Sequence, residues 1–193
     1  MNDLMDLHTH TIASGHAYST LSENIRAAAD AGLALYGCSD HAPKMAGTTH
    51  SSYFINFKVI PRVRGGVHVL MGAELNILDS SGAVDLPPSI LGKLDYAIAS
   101  LHTPCFVPGT MEENTQAYVN AMKNPAVTII GHPDDGRYPV DYETFVKGAK
   151  TYKKLVEVNS SSLSPRSVRK GAAENYQVLL KYCREYQVPI IIG

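Results

Sequence analysis

The sequence predicts an α/β protein whose parallel strands alternate with helices and close into a barrel. Two observations carry that expectation. Short apolar runs, each followed by a polar loop and a helical stretch, recur along all 193 residues with no linker, low-complexity segment or internal repeat. Such alternation implies a parallel sheet with right-handed crossovers. The second observation is that chemistry-bearing side chains end five successive strands. An open doubly wound sheet usually serves its site from few strands at one switch point. In a closed parallel barrel the C-terminal strand ends converge on one face. The open sheet remains the alternative.

The elements follow in order. A first strand covers about Asp3 to His8, and a helix covers Ser22 to Ala31, where Thr20 and Glu23 have the spacing of a capping box and Gly32 is a stop. Leu33 to Ser39 is the second strand. A weaker helix covers Tyr53 to Arg64, broken near Pro61. Val67 to Ala73 is the third strand, ending at Glu74; Leu78 to Pro88 is loop, and a short helix runs from Pro88 to Lys93. Tyr96 to Leu101 is the fourth strand. Thr110 and Glu113 form a second capping box, opening a helix to Lys123. Val127 to Gly131 is the fifth strand, Asp141 opens a helix to Tyr152, and Leu155 to Asn159 is the sixth strand. A long helix covers Ser167 to Tyr186, and Val188 to Gly193 is the seventh strand.

A chain of 193 residues is the length of one domain with a substantial core. Net charge is -1 and no long basic run occurs, so nothing points to nucleic acid or an anionic membrane. No apolar run reaches the roughly 20 residues that span a bilayer, and the N-terminus lacks the pattern of a signal peptide. Cys38, Cys105 and Cys183 form no C-x-x-C and are odd in number. They read as small buried hydrophobes in a reducing cytoplasm.

Asp6-Leu7-His8-Thr9-His10 sits on the first strand, where alternation puts His8 and His10 on one face, about 7 Å apart at Cα. Two imidazoles so placed can grip one metal ion; alone, they read as surface histidines. The other strand ends change that. His41, Glu74, His102 and His132 follow strands two to five, and six of the eight histidines (8, 10, 16, 41, 102 and 132) fall at or just past strand exits. His50 and His68 do not, and read as structural or surface residues. Imidazole suits zinc, iron, manganese and nickel. Glu74, a carboxylate at a strand exit with no basic neighbour, is the expected bridging ligand. Seven candidates exceed the needs of one tetrahedral ion and imply at least two. Two ions about 3.5–4 Å apart can clamp a phosphoryl group and lower the pKa of water.

The motifs Asp6-Leu7-His8-Thr9-His10, Ser39-Asp40-His41, Gly72-Ala73-Glu74, Ser100-Leu101-His102 and Gly131-His132-Pro133 resemble those of the polymerase and histidinol phosphatase (PHP) superfamily. Glu157-Val158-Asn159-Ser160-Ser161 and Arg169-Lys170-Gly171 agree with its small stand-alone phosphatases. The resemblance covers the whole chain. It implies a distorted (β/α)7 TIM-like barrel, a single hydrolase domain over residues 1–193, and a trinuclear centre. The ions would most often be zinc, with manganese or iron as alternatives. By the same resemblance one ion is held by His8, His10 and Glu74, a second by Glu74, His102 and His132, and a third by His16 and His41. The family's Asp-x-His motif, expected after the seventh strand, is not reached before Gly193. A shortened chain, weak in its third metal site and weakly active or inactive, is therefore expected.

The expected reaction is hydrolysis of a small phosphomonoester by metal-bound hydroxide. Arg169 and Lys170, read as opening the last helix, could hold the phosphate, or simply form a solvated face. Asp6 shares the face of His8 and His10 and either orients a ligand imidazole or is buried for packing. Asp40 and Asp134 either carry protons or cap loops. The competing expectations are a TatD-like nuclease, an amidohydrolase, and a non-catalytic or proofreading-type PHP module. His102 at the fourth strand, where many amidohydrolases carry a modified lysine, and the presence of His16 and His41 favour the phosphatase.

Overall fold

A computed structural model describes residues 5–193, so the strand expected to begin at Asp3 lies partly outside them. The chain forms two compact units: residues up to Leu75 with Asp85–Ile98, and Asn76–Val84 with Ala99–Gly193.

The first unit is built on β1 (Met5–Thr9), α1 (Leu21–Asp30), β2 (Leu35–Cys38), α2 (Ser51–Ile55), β3 (Val63–Arg64) and β4 (Val67–Met71). The sheet order is β1-β2-β4-β3. β1, β2 and β4 run parallel, while β3 pairs antiparallel with β4. Helix α1 starts where its capping box predicts: Thr20 accepts from the Glu23 backbone and the Glu23 carboxylate takes the Thr20 N–H. Its buried residues, Ile25 and Ala28, share one face, and the helix packs on β2 and β4. Gly32 follows with φ +76°, as a helix stop requires.

The predicted third strand is two. β4 is interrupted at Gly72 and β5 (Ala73–Asn76) begins directly after it, so Glu74 lies inside a strand rather than at an exit. Gly72 leaves room for the Tyr96 ring, which would stand 2.5 Å from a Cβ there. The helix read over Tyr53 to Arg64 is also corrected. It is the short α2, a 3-10 turn over Asn56–Val59, and then β3, joined to β4 by Gly65 and Gly66 at φ +59° and +82°. Helix α3 (Pro88–Leu91) and β6 (Ala97–Ser100) follow.

The second sheet has the order β5-β6-β7-β8-β9, with β7 (Ile129–Ile130), β8 (Leu155–Val158) and β9 (Ile190–Ile192) parallel. In the second unit α4 (Met111–Met122) packs on α5 (Tyr142–Thr151), and α5 on α6 (Ala172–Tyr186). Tyr118 meets Phe145 edge-on at 5.3 Å between α4 and α5. The predicted caps hold: the Thr110 and Glu113 box opens α4, and Asp141 accepts from the backbones of Glu143 and Thr144 to open α5. Helix α6 begins five residues later than predicted, because Gly171 adopts φ +64° just before it. Arg169 and Lys170 therefore precede the helix instead of opening it. The architecture is mixed α/β with parallel strands, as the alternation predicts. Among the described residues no helix is long and apolar enough to cross a membrane.

Candidate metal centre

In the first unit, backbone ladders bring three chain segments side by side. Ser39 N–H donates to the Thr9 carbonyl, Gly72 N–H to Cys38, Glu74 N–H to Asp40, and Ala42 N–H to Glu74. His41 and Glu74 form a parallel bridge. This registers His10, just past β1, His41, just past β2, and Glu74 in β5 against one another.

The side chains converge on one oxygen. Glu74 Oε2 lies 3.2 Å from His8 Nε2, 3.4 Å from His10 Nε2 and 2.9 Å from His41 Nδ1. The Glu74 carboxylate is 1% exposed. Two donors on one tetrahedral zinc, each about 2.0–2.1 Å from it, lie about 3.3–3.4 Å apart. The His8, His10 and Glu74 spacings match that value, so the donor set fits a metal ion. His16 joins the edge: its ring centroid is 4.9 Å from that of His10 and 4.8 Å from that of His41. Ligand atoms of His10, His16 and His41 all lie within 4.8 Å of one another. Burial, with the neighbouring His8, His41 and His16, pushes His10 down to about 3 against the opposing pull of Glu74. The imidazole is thus neutral near pH 7, the state that binds metal.

The first unit supports these side chains through a buried carboxylate. Asp40 is fully buried. Its Oδ1 accepts from Thr11 N–H at 2.7 Å and Ser14 Oγ at 2.6 Å. Its Oδ2 accepts from Thr11 Oγ1 at 2.7 Å and Tyr53 OH at 2.8 Å. Burial pushes the carboxyl up, but the hydrogen bonds from Ser14, Thr11 and Tyr53 outweigh it and hold Asp40 below the usual range. Asp6 Oδ1 accepts the backbone N–H of His8 at 3.0 Å, bracing the strand under that imidazole.

The second unit holds the other two predicted histidines as a pair, with ring centroids 5.2 Å apart. His102 Nδ1 is 2.7 Å from Asn76 Oδ1. His132 carries a positive φ of 30°, an uncommon conformation for a residue other than glycine. Its N–H donates to buried Glu157 Oε2 at 2.7 Å. Such strain persists where the surroundings fix it and clusters at functional sites. Arg169 Nη1 donates to Asn159 Oδ1 at 3.2 Å and Ser162 Oγ at 3.0 Å, and Asn159 Nδ2 in turn donates to Glu157 Oε1 at 3.2 Å. The Lys170 side chain is exposed, and its carbonyl accepts from Gly136 N–H at 2.8 Å. Asp134 is buried beside Tyr176, whose OH donates to Oδ1 at 2.6 Å. His50 caps α2 and His68 is exposed on β4, both outside the ligand set.

Ser14, Asn76 and Glu157 were not singled out from the sequence as site residues. Asn76 and Glu157 carried a usable signal, being polar residues within otherwise apolar, buried strands. Ser14 carried none, because its importance depends on contacts to Asp40, 26 residues away.

A buried carboxylate ringed by imidazoles on a parallel α/β scaffold is a donor set that could hold a divalent ion, as a metal-dependent hydrolase requires. The comparisons narrow it. Along its whole length the chain is 48% identical to 78% of a Clostridium novyi protein named "probable phosphatase". It is 50% identical, again over its whole length, to 78% of a "probable phosphatase" of a Thermoanaerobacter species. The chain belongs to this phosphatase family and is an enzyme of that class. No family model matches it. In fold it is similar to the histidinol phosphate phosphatase of Lactococcus lactis, a structure complexed with zinc, L-histidinol and phosphate. The TM-score is 0.65 at 15% identity, covering 99% of this chain and 85% of that one. A chain in the structure of an archaeal ribonuclease P with mature tRNA is similar at a TM-score of 0.58 and 14% identity, covering 97% and 72%.

Proposed function

We propose that this chain hydrolyses a small phosphomonoester, with histidinol phosphate as the first candidate, using two or three divalent ions, zinc foremost. The carrying observation is the convergence of His8, His10 and His41 on Glu74 Oε2 at 2.9–3.4 Å. The proposed ligands are His8, His10, His16, His41 and Glu74 in the first unit and His102 and His132 in the second, on a distorted (β/α)7 barrel. Bound ions supply charge neutralisation at phosphoryl oxygens and activation of water near neutral pH.

The chain's own groups do the rest. Glu74 presents one oxygen to three imidazoles, the arrangement of a carboxylate shared between ions. Asp40 and Asp6 fix the backbone that carries His10 and His8. Arg169 is held through Nη1 by Asn159 and Ser162, which leaves its other N–H groups for the phosphate oxygens. Lys170 adds a flexible positive charge. None of Cys38, Cys105 and Cys183 is in a disulfide, which suits a cytoplasmic enzyme.

The test is phosphate release from histidinol phosphate and p-nitrophenyl phosphate by the zinc-loaded chain, before and after chelation. Release that stops on chelation and returns with zinc is expected, and Glu74→Gln should abolish both zinc uptake and turnover. Undiminished hydrolysis by the metal-free chain would overturn the proposal.

A further inference from the structure

A tight turn follows the first histidine pair, and its hydrogen bonds leave little freedom. Thr11 caps a 3-10 turn over Ile12–Ser14, and Gly15 closes it at φ +73°. At the centre is Ser14, 1% exposed. Its hydroxyl has three neighbours: Asp40 Oδ1 at 2.6 Å, the His41 backbone N–H at 3.0 Å and His10 Nδ1 at 3.0 Å. Its carbonyl has His16 Nδ1 at 3.1 Å.

A hydroxyl has one proton and two acceptor sites. The His41 backbone N–H can only donate, so it takes one acceptor site. The Asp40 carboxylate, held ionised, can only accept, and its oxygens receive Thr11 N–H, Thr11 Oγ1, Tyr53 OH, Cys38 Sγ and Ser14 Oγ. The Ser14 proton therefore goes to Asp40. What remains for His10 is an acceptor site, so His10 Nδ1 carries the hydrogen. For His16 the step is shorter: a carbonyl only accepts, so its Nδ1 also carries the hydrogen. The tautomer of a histidine is set by the bond its other nitrogen makes.

We propose that Ser14 is a positioning residue that fixes His10 through its hydroxyl and His16 through its carbonyl as Nδ1–H tautomers, so that both Nε2 lone pairs face the metal. One residue thus sets two ligands. The inference rests on the reading of His10 and His16 as ligands, and it explains how a metal-free imidazole cluster avoids presenting N–H groups to an incoming cation. It also gives the buried Asp40 a defined role, since its charge holds the Ser14 proton away from His10.

Ser14→Ala separates the two arms, because it removes the hydroxyl and keeps the carbonyl. The metal-free chain, labelled with 15N-histidine, is read at pH 8 by long-range 1H–15N correlation, with His10→Gln and His16→Gln for assignment. Zinc affinity is measured alongside by competition with a chromogenic chelator. In the unmodified chain both rings should be protonated at Nδ1. In Ser14→Ala, His10 should shift toward the Nε2–H form while His16 stays unchanged, and zinc affinity should fall about 10- to 100-fold, the usual effect of losing such a support. A purely structural role for Ser14 would move stability and leave the His10 tautomer in place. An unmodified chain with His10 protonated at Nε2, which is read without any variant folding, would overturn the inference. So would a variant with unchanged tautomer and unchanged zinc affinity. Lack of zinc binding by the unmodified chain would count against the ligand reading itself, while the spectrum still decides the role of Ser14.

Discussion

Gly72→Ala tests how the first unit holds its ligand strands in register. A Cβ at residue 72 would stand 2.5 Å from Cε1, 2.7 Å from Cζ and 2.8 Å from Cδ1 of Tyr96. Carbon atoms rest about 3.5–4.0 Å apart, so the ring would have to retreat by about 1 Å. Tyr96 is 5% exposed, and its hydroxyl donates to the Leu7 carbonyl at 2.6 Å, next to His8. A retreat of that size would stretch this bond beyond hydrogen-bonding range. Overpacking costs about 1–3 kcal/mol, and a lost buried hydrogen bond adds about 1 kcal/mol. The sum, about 2–4 kcal/mol, is a large share of the roughly 5–15 kcal/mol that hold a typical domain folded. Gly72 has no left-handed backbone, so alanine fails there on space alone. The assay is a double-mutant cycle by urea unfolding with Tyr96→Leu, which removes the ring. The clash should vanish in the double variant and give a coupling of about 1–3 kcal/mol. Effects that add to within about 0.5 kcal/mol would refute the packing argument.

Three further outcomes are expected. Gly15→Ala places a Cβ against the Gly47 carbonyl at a residue with φ +73°, so it should lower the urea midpoint and weaken zinc binding together; unchanged zinc titration would show that the turn does not set the ligands. Burial pushes the Asp135 carboxyl up, but the paired Arg137 guanidinium, at 2.6–3.0 Å, outweighs this and holds it below the usual range. A carboxylate so lowered adds stability above its unfolded value of about 3.9 and loses it as pH falls through the folded value. Arg137→Ala should therefore cost about 1–3 kcal/mol at pH 7 and progressively less below pH about 4, and a pH-independent difference in urea unfolding would contradict the pairing. Arg169→Ala should raise KM for the phosphomonoester about 10-fold or more, in line with loss of a charged hydrogen bond, with zinc content by metal analysis unchanged; a loss of zinc instead would place Arg169 in support of the metal.

What the sequence disclosed and what it hid follow from the range of the interactions involved. Helix starts set by contacts three residues apart were legible: Thr20 with Glu23, Thr110 with Glu113, and Asp141 with the two backbone N–H groups it caps. The hairpin of β3 and β4 was legible in principle, since two glycines between apolar runs favour a tight turn. Pro61 drew the reading toward a broken helix instead. The break at Gly72 was not legible, because it answers a ring 24 residues further on. The start of α6 was hidden for a similar reason: Arg169 is bound to Asn159 and Ser162, and Gly171 turns left-handed before the helix begins.

The clustering of His8, His10, His16 and His41 about Glu74 was legible because side chains meet where strands deliver them, and that spacing is written along the chain. Their tautomers were not. Whether His10 offers a lone pair or an N–H from Nε2 depends on where a single hydroxyl proton on Ser14 goes. That in turn is set by Asp40, whose ionised carboxylate can only accept. Thr11 and Tyr53, by helping to hold Asp40 ionised, thus reach His10 through three hydrogen bonds in series without touching it. The composition of the site sets which atoms are present, and the closure of this hydrogen-bond circuit sets which of them can act as ligands. Tyr53→Phe opens one acceptor site on Asp40 while leaving Ser14 in place. The Ser14 proton should still go to the carboxylate, so the His10 tautomer, read by the same 1H–15N correlation, should hold even as stability falls by about 1 kcal/mol.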